Sequence, residues 1–489
     1  MVKHFLIALV LTFTGSISAG DLYGQDLGDK PNIVFLLADD MSRDTWGAYG
    51  GLDCKTPNID TLASDGVKFE RAYCSVAMCA PFRQELYSGR TPWRTGTLAN
   101  HSKSKLGTKS IPHYLKGLGY RVALLGKSHV GPQECYPFEY IKGGNKREDQ
   151  NDEYLVKSRG FIDSCAAEGK PFCLFIASND SHAPFTTGDQ SIYNAAELTV
   201  PPYWVDTPEL RETMVAYYAE ISNFDSLVGR VRAELEARGL WDNTLFIVCS
   251  EQGTQLPFAK WTCYDQGLGT GLIVHWTGVT KPGAVVDELV SIQDLTPTLV
   301  DAAGGSPDVG DFDGKSILGL LKGGKQVIHD YLYGAFTNCN ISDNRDRIYP
   351  IRVIRNKEFS LIYNPNHTRK TSNVTLSSAL QMLEGQSPST VDVAASWVDL
   401  ANKTDAEEQL IQKLHQRPEY ELYDLSRDPY ELNNEIDNPE YAATAELLKQ
   451  QLQERLAELN DADPIATEES LFDADKAAKS KKKKTKKKG

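Results

Sequence analysis

Four apolar runs, each ending in a polar cluster, limit what this chain can become. Residues 31–38 (PNIVFLLA) end in Asp39-Asp40, and residues 121–125 (RVALL) run into Gly126-Lys127-Ser128-His129. Residues 171–177 (PFCLFIA) lead to His182, and residues 244–249 (TLFIVC) lead to Glu251-Gln252. Uninterrupted Val, Ile, Leu and Phe, alternating with helical stretches, predict parallel strands buried on both faces. Such sheets collect their ligands at the carboxyl ends of the strands. All four clusters fall at such an end, so one crevice can hold them. The expected fold is α/β, a mostly parallel central sheet flanked by helices.

The rest of the chain is consistent with this frame. The clearest helix spans residues 209–238, with apolar positions at helical spacing and Gly239 as its stop. A strand over 245–249, a loop over 251–260 and a strand over 272–276 follow. Residues 30–334 read as one catalytic α/β unit. A smaller α+β subdomain is expected over 335–462, where YPIRVIRNKEFSLIYN forms two strands around an Asn-Lys turn and residues 439–459 form an amphipathic helix. Residues 463–489 end in a lysine block and are expected to be disordered.

Cys79-Ala80-Pro81-Phe82-Arg83 places a small nucleophile at a helix start, with an arginine one turn further on. Pro81 suits the first turn and Gly89 can close the helix. Cys79 would sit at the positive end of the dipole, where a tetrahedral oxyanion binds well. Asp39, Asp40, Glu251 and Gln252 offer only oxygen, which suits Ca2+ or Mg2+. No histidine cluster or cysteine spacing suggests a zinc site.

TPNIDTLASDGVKFERAY before the cysteine, CAPFRQELYSGR around it and ELYDLSRDPYELNN near the end carry a resemblance that runs from residue 31 to residue 434. The sequence is similar to type I sulfatases of the alkaline phosphatase superfamily, in which an active-site cysteine becomes formylglycine. That family usually has Ser at the position of Phe82, and commonly Asp followed by Asn or His where this chain has Glu251-Gln252. The resemblance implies an alkaline-phosphatase-like sheet, maturation by a formylglycine-generating enzyme, and a divalent cation held by Asp39, Asp40, Glu251, Gln252 and the modified Cys79. It further implies that one hydroxyl of the aldehyde hydrate attacks sulfur, after which the other loses its proton and sulfate departs. Arg83 and Lys127 would neutralise charge, His129 would take that proton, and His182 and Lys260 would face the leaving group. Asn100, His101 and Trp261 are candidate substrate contacts. YPIRVIRNKEFSLIYNPN and ELYDLSRDPYELNN are similar to segments of heparan N-sulfatases, which makes a sulfated carbohydrate the expected substrate and N-sulfoglucosamine one candidate. A phosphodiesterase or phosphonate monoester hydrolase would share fold, metal and modified cysteine. A catalytically dead glycan-binding homologue would be expected to have lost Cys79, Arg83 or the metal acids, and none is lost.

Residues 1–20 combine a charged start, a short apolar run and small residues, as in a secretory signal peptide, so the expected location is secreted or periplasmic. No later apolar run is long enough for a membrane span. Of the nine cysteines, Cys173 and Cys249 lie inside strands and are expected to be free thiols. Cys54, Cys74, Cys135, Cys165, Cys263 and Cys339 are the disulfide candidates, with no pairing assigned. The net charge is −14 although Lys476, Lys479, Lys481–Lys484 and Lys486–Lys488 crowd the end, so the body is more acidic than the total. The block reads either as a solvated tail or as a tether for a polyanionic glycan or surface. An acidic body without a basic aromatic face argues against nucleic acid.

Overall fold

A computed structural model describes residues 30–143, 150–307, 311–341, 345–388 and 392–486, with side chains up to residue 480. The expected signal peptide lies outside the described residues. The strands are β1 Asn32–Ala38, β2 Val67–Tyr73, β3 Arg121–Gly126, β4 Glu139–Ile141, β5 Phe172–Ala177, β6 Thr244–Ser250, β7 Gly269–Thr270, β8 Leu272–His275, β9 Ala284–Ser291, β10 Leu332–Phe336, β11 Ile351–Arg355, β12 Phe359–Tyr363 and β13 Tyr420–Asp424.

The first nine form one sheet in the order β4-β3-β5-β1-β6-β8-β2-β7, with β9 on β2. The β4, β3, β5, β1 and β6 neighbours are parallel, with β1 central and every residue in it buried. This is the mostly parallel α/β sheet expected, and the four apolar runs are β1, β3, β5 and β6. The sheet becomes mixed on its far side, where β8 is antiparallel to both β6 and β2. β2 (VKFERAY) and β9 (AVVDELVS) carry charges on a partly exposed face, which is why composition alone did not mark them.

β10 to β13 form a second, wholly antiparallel sheet. β11 and β12 are the pair expected around the Asn-Lys turn. The long helix is Pro208–Ala237, capped by the Thr207 side chain, and the later amphipathic helix is Ala442–Glu458. Ala445, Leu448, Leu452 and Leu456, at helical spacing, pack it onto Ile354, Leu361 and Leu422 of the small sheet.

Two expectations are corrected. Residues beyond 463 are not featureless: a helix spans Pro464–Lys486, and Glu468 and Phe472 on it are buried. Two buried side chains give that segment the packing a purely lysine-rich block lacks. None of the six disulfide candidates is in a disulfide, nor are the other three cysteines, and all nine are buried.

Candidate active site

The helix Cys79–Ser88 begins at the cysteine itself, and Gly89 closes it at φ 65°, donating its N–H to Glu85 O. All ten of its residues are buried, an unusual setting for a sequence containing Arg83, Gln84 and Glu85. Arg83 explains part of it. Its guanidinium pairs with Glu251 through Nε, reaches Asp39 Oδ1 at 3.8 Å and donates to Lys127 O at 2.6 Å, so one cation ties β1, β3 and β6 together at their carboxyl ends.

Gly126 bends the chain out of β3 at φ 91°, and a Cβ there would lie 2.2 Å from Ala177 O. The glycine thereby lets Lys127 turn in and bond Asp39 Oδ2. Asp40, just beyond β1, is completely buried, in the left-handed region at φ 52°. Its Oδ1 lies 3.7 Å from Cys79 Sγ, and its Oδ2 accepts from Lys260 Nζ at 2.6 Å. Lys260 Nζ is also 3.2 Å from Cys79 Sγ, and its ammonium lies 5.1 Å from the Trp261 ring centroid. His182 Nε2 is 3.6 Å from Asp40 Oδ2, with about a third of the side chain exposed. The cysteine is thus ringed by groups from five separate stretches of chain.

Asp39, Asp40, Cys79 and Glu251 each present one donor atom, all within 4.8 Å of one another, and all four residues are buried. Three buried oxygens here, Asp39 Oδ1, Glu251 Oε1 and Gln252 Oε1, accept no hydrogen bond. Gln252 Nε2 faces Asp40 and Cys79, and a half-turn of the amide exchanges it for Oε1. Burial works to raise Asp39, but the Lys127 ammonium, the Glu251 hydrogen bond and Arg83 hold it well below the usual carboxylate range. Burial, together with the neighbouring Asp39, pushes Glu251 well above it. Carboxylates clustered with buried oxygens that accept no hydrogen bond are hard donors with free lone pairs. The donor set therefore fits a hard divalent cation.

Burial also pushes the Cys79 thiol up to about 12 against the pull of Lys127 and Lys260. A bare thiol in this place is held protonated and is a poor nucleophile.

The remaining candidates form an outer layer. His129 Nε2 and His101 Nδ1 are 2.7 Å apart, and Asn100 Nδ2 lies 3.3 Å from His101 Nε2. Burial, Lys127, Arg83 and His101 push His129 down to about 3, so the ring is neutral at physiological pH and only weakly basic in this arrangement. The motifs gave no sign of Asp180. Its main-chain carbonyl accepts from Asp39 N at 2.7 Å, the neighbouring Ser181 N donates to Asp39 O at 2.6 Å, and its carboxylate accepts from Thr187 and Asn223 while also holding Gln150. Asp180 fixes the loop carrying His182, and its partners, distant in sequence, leave no local signature.

The sulfatase family matches residues 31–306, more than half of the chain. The chain is also 32% identical to an ulvan-active sulfatase of Formosa agariphila over 430 residues, covering 86% of this chain and 79% of that protein. The chain belongs to the sulfatase family. A second family, N-sulphoglucosamine sulphohydrolase C-terminal, matches residues 253–373 of this sulfatase. Human N-sulphoglucosamine sulphohydrolase is 27% identical over 473 residues, 86% of this chain and 89% of that one. Among solved structures, a protein in complex with its substrate D-glucosamine-2-N,6-O-disulfate aligns at TM-score 0.68 and 19% identity over 89% of this chain and 99% of its own. A phosphonate monoester hydrolase of Agrobacterium radiobacter aligns at 0.65 and 18% over 88% and 96%. Those two likenesses show a shared fold.

Proposed function

We propose that this sulfatase removes sulfate from sulfated carbohydrates, as ester or sulfamate, through formylglycine made from Cys79 and a Ca2+ or Mg2+ ion held by Asp39, Asp40, Glu251 and Gln252. The observation that carries the reading is the convergence of these donors on one cysteine at a helix start. The cation would supply Lewis acidity at the sulfate and at the nucleophilic hydroxyl. The aldehyde hydrate would supply that hydroxyl and a second one, whose deprotonation releases sulfate.

This chain's own groups do the rest. Lys127 and Arg83 offset the charge of Asp39 and Glu251. Lys260, beside both Asp40 and Cys79, is placed to hold a sulfate oxygen as charge develops on it. His182, about a third exposed, would hand a proton to the departing oxygen or nitrogen. His129, neutral and paired with His101, would accept the proton lost by the hydrate. Asn100, His101 and Trp261 would line the sugar side. The reading includes an exported protein with residues 1–20 as its signal peptide, matured by a formylglycine-generating enzyme, with a catalytic unit over 30–334 and a smaller unit over 335–462.

The test is sulfate release from N-sulfoglucosamine and from glucosamine bearing only a 6-O-sulfate, run beside an aryl sulfate and an aryl phosphodiester. Release from either sugar supports the reading, and release from the N-sulfated sugar alone assigns the sulfamidase activity. Turnover of the phosphodiester alone would overturn it.

A further inference from the structure

Where the two sheets meet, the chain encloses a cavity of about 240 Å3 that shares no residue with the ring around Cys79. Its walls come from stretches far apart in sequence: the loop after β2, the end of β9, the start of β10 and the helix Ala442–Glu458. Trp93, Tyr331 and Tyr333 give it three aromatic surfaces, and Lys315 and Arg455 bring two cations. Drug-sized ligands fill pockets of roughly 300–1,000 Å3, so this smaller one suits a single sugar ring.

Two of the lining side chains have hydrogen-bonding capacity that the protein leaves unused. Gln293 is only 8% exposed, yet its Oε1 accepts no hydrogen bond. A buried acceptor without a donor costs about 1–3 kcal/mol and is rare in a native fold. Arg455 presents the complement. Its Nη1 pairs with the exposed Glu458 at 2.9 Å and its guanidinium lies 5.6 Å from the Tyr333 ring centroid, while its buried Nε has no acceptor. Lys315 Nζ gives one of its three donors to Ile328 O at 2.7 Å. Asp313 is the one carboxylate among the described residues that line the cavity, and Arg94 at 2.6 Å and the Thr91 amide at 2.8 Å already hold it. His329 is likewise held by Asp294 at 2.9 Å. The cavity keeps a positive balance inside a protein whose net charge is −14.

An unused acceptor and an unused donor in one cavity match a ligand that both donates and accepts. Inorganic sulfate brings acceptors only, and a neutral sugar leaves the cations without a counter-charge. A sugar ring carrying sulfate or carboxylate meets every demand: a hydroxyl to donate to Gln293, an anionic oxygen for Arg455 and Lys315, and an apolar ring face for the aromatics. We propose that this cavity is an accessory binding site for one anionic sugar residue, separate from the site where sulfate is removed. The choice of a sugar rests in part on the carbohydrate sulfatase reading above, whereas the unpaired groups and the charge balance stand without it.

The test uses the full-length protein, with Cys79→Ala to keep the probe intact, and a sulfated heparin disaccharide as probe. Hydrogen exchange is followed in peptides covering residues 289–295 and 328–334, with residues 36–41 reporting the Cys79 site. The disaccharide should protect both cavity peptides at millimolar concentration. Inorganic sulfate, and the desulfated, carboxyl-reduced disaccharide, should each need at least about tenfold more, since each lacks one of the paired demands. Arg455→Gln and Gln293→Leu should each weaken cavity binding at least about tenfold while leaving protection at 36–41 as it was. Gln293→Leu separates a ligand contact from a structural one: because no protein group donates to Oε1, Tm should hold or rise. With Cys79 restored, both variants should keep kcat/KM on an aryl sulfate within about twofold of wild type. Absence of protection at 289–295 and 328–334 would overturn the proposal, as would equal protection by inorganic sulfate or by the neutral disaccharide. So would a Gln293→Leu variant that loses Tm and binds as before. A protein that binds the probe in the cavity but releases sulfate from no substrate would support the site and count against the sulfatase reading alone.

Discussion

In the reading proposed above Cys79 is converted to the nucleophile, and its buried thiol beside Asp40 would be a poor one without that conversion. Cys79→Ala and Cys79→Ser should both lower kcat by about 10³-fold or more while leaving the thermal transition near wild type. Serine retains a hydroxyl but lacks the second one that frees sulfate, so activity in that variant near wild type would refute the nucleophile. Mass spectrometry of the Cys79 peptide from active protein should find the aldehyde, and an alkylatable thiol alone would do the same damage. The proposed cation site can be tested without turnover. Chelation should lower both activity and Tm, and Ca2+ should restore them, with a stabilisation of about 2.7 kcal/mol at a hundredfold excess over Kd. Asp40→Asn should abolish the calcium-dependent shift in Tm.

Among the elements, two helices show how burial makes a polar sequence ordered. The Cys79–Ser88 helix buries Arg83, Gln84 and Glu85 because each finds partners at the sheet end or in the following loop. The Pro464–Lys486 helix docks through fewer contacts, so it should open locally before the protein unfolds. Phe472→Ala should speed hydrogen exchange over residues 464–480 with little change at β1. Glu468 gives the same helix a pH signature. Burial raises its carboxyl to about 8 despite the Asn338 hydrogen bond and the Arg352 charge. A carboxyl raised on folding contributes stability that is complete below its unfolded value, near 4.5, and is lost as pH rises through about 8. Glu468→Gln, which does not titrate, should flatten the decline in Tm between pH 4.5 and 8, and an unchanged slope would show that the carboxyl is not held as described.

For the whole molecule, the joint between the two sheets is a buried ionic network. Asp265 accepts from Arg43 at 2.6 Å, Arg355 at 2.8 Å and Tyr73 at 2.9 Å, and Arg355 reaches Glu431 at 3.1 Å. Asp265→Asn leaves the Arg43 guanidinium without its carboxylate and Arg355 with Glu431 alone in a largely buried joint, and should cost about 3–5 kcal/mol by denaturant titration. Asp287→Asn, at the exposed pair with Arg71, should cost less than about 1 kcal/mol. The apolar runs, the Cys79 helix and the oxygen donors after β1 and β6 were legible in the sequence because each is local: a run of β-formers, a capped turn, a pair of adjacent side chains. Their convergence also followed, because parallel strands share a carboxyl edge. What only the tertiary structure decided depends on partners far apart in the chain. The network around Asp265, the support that Asp180 gives to His182, the pairing of His101 with His129, and the docking of the lysine helix beside Asn100 all arise between segments tens to hundreds of residues apart. No local pattern encodes which distant surface a side chain will meet, and burial among those surfaces then fixes both its charge and its role.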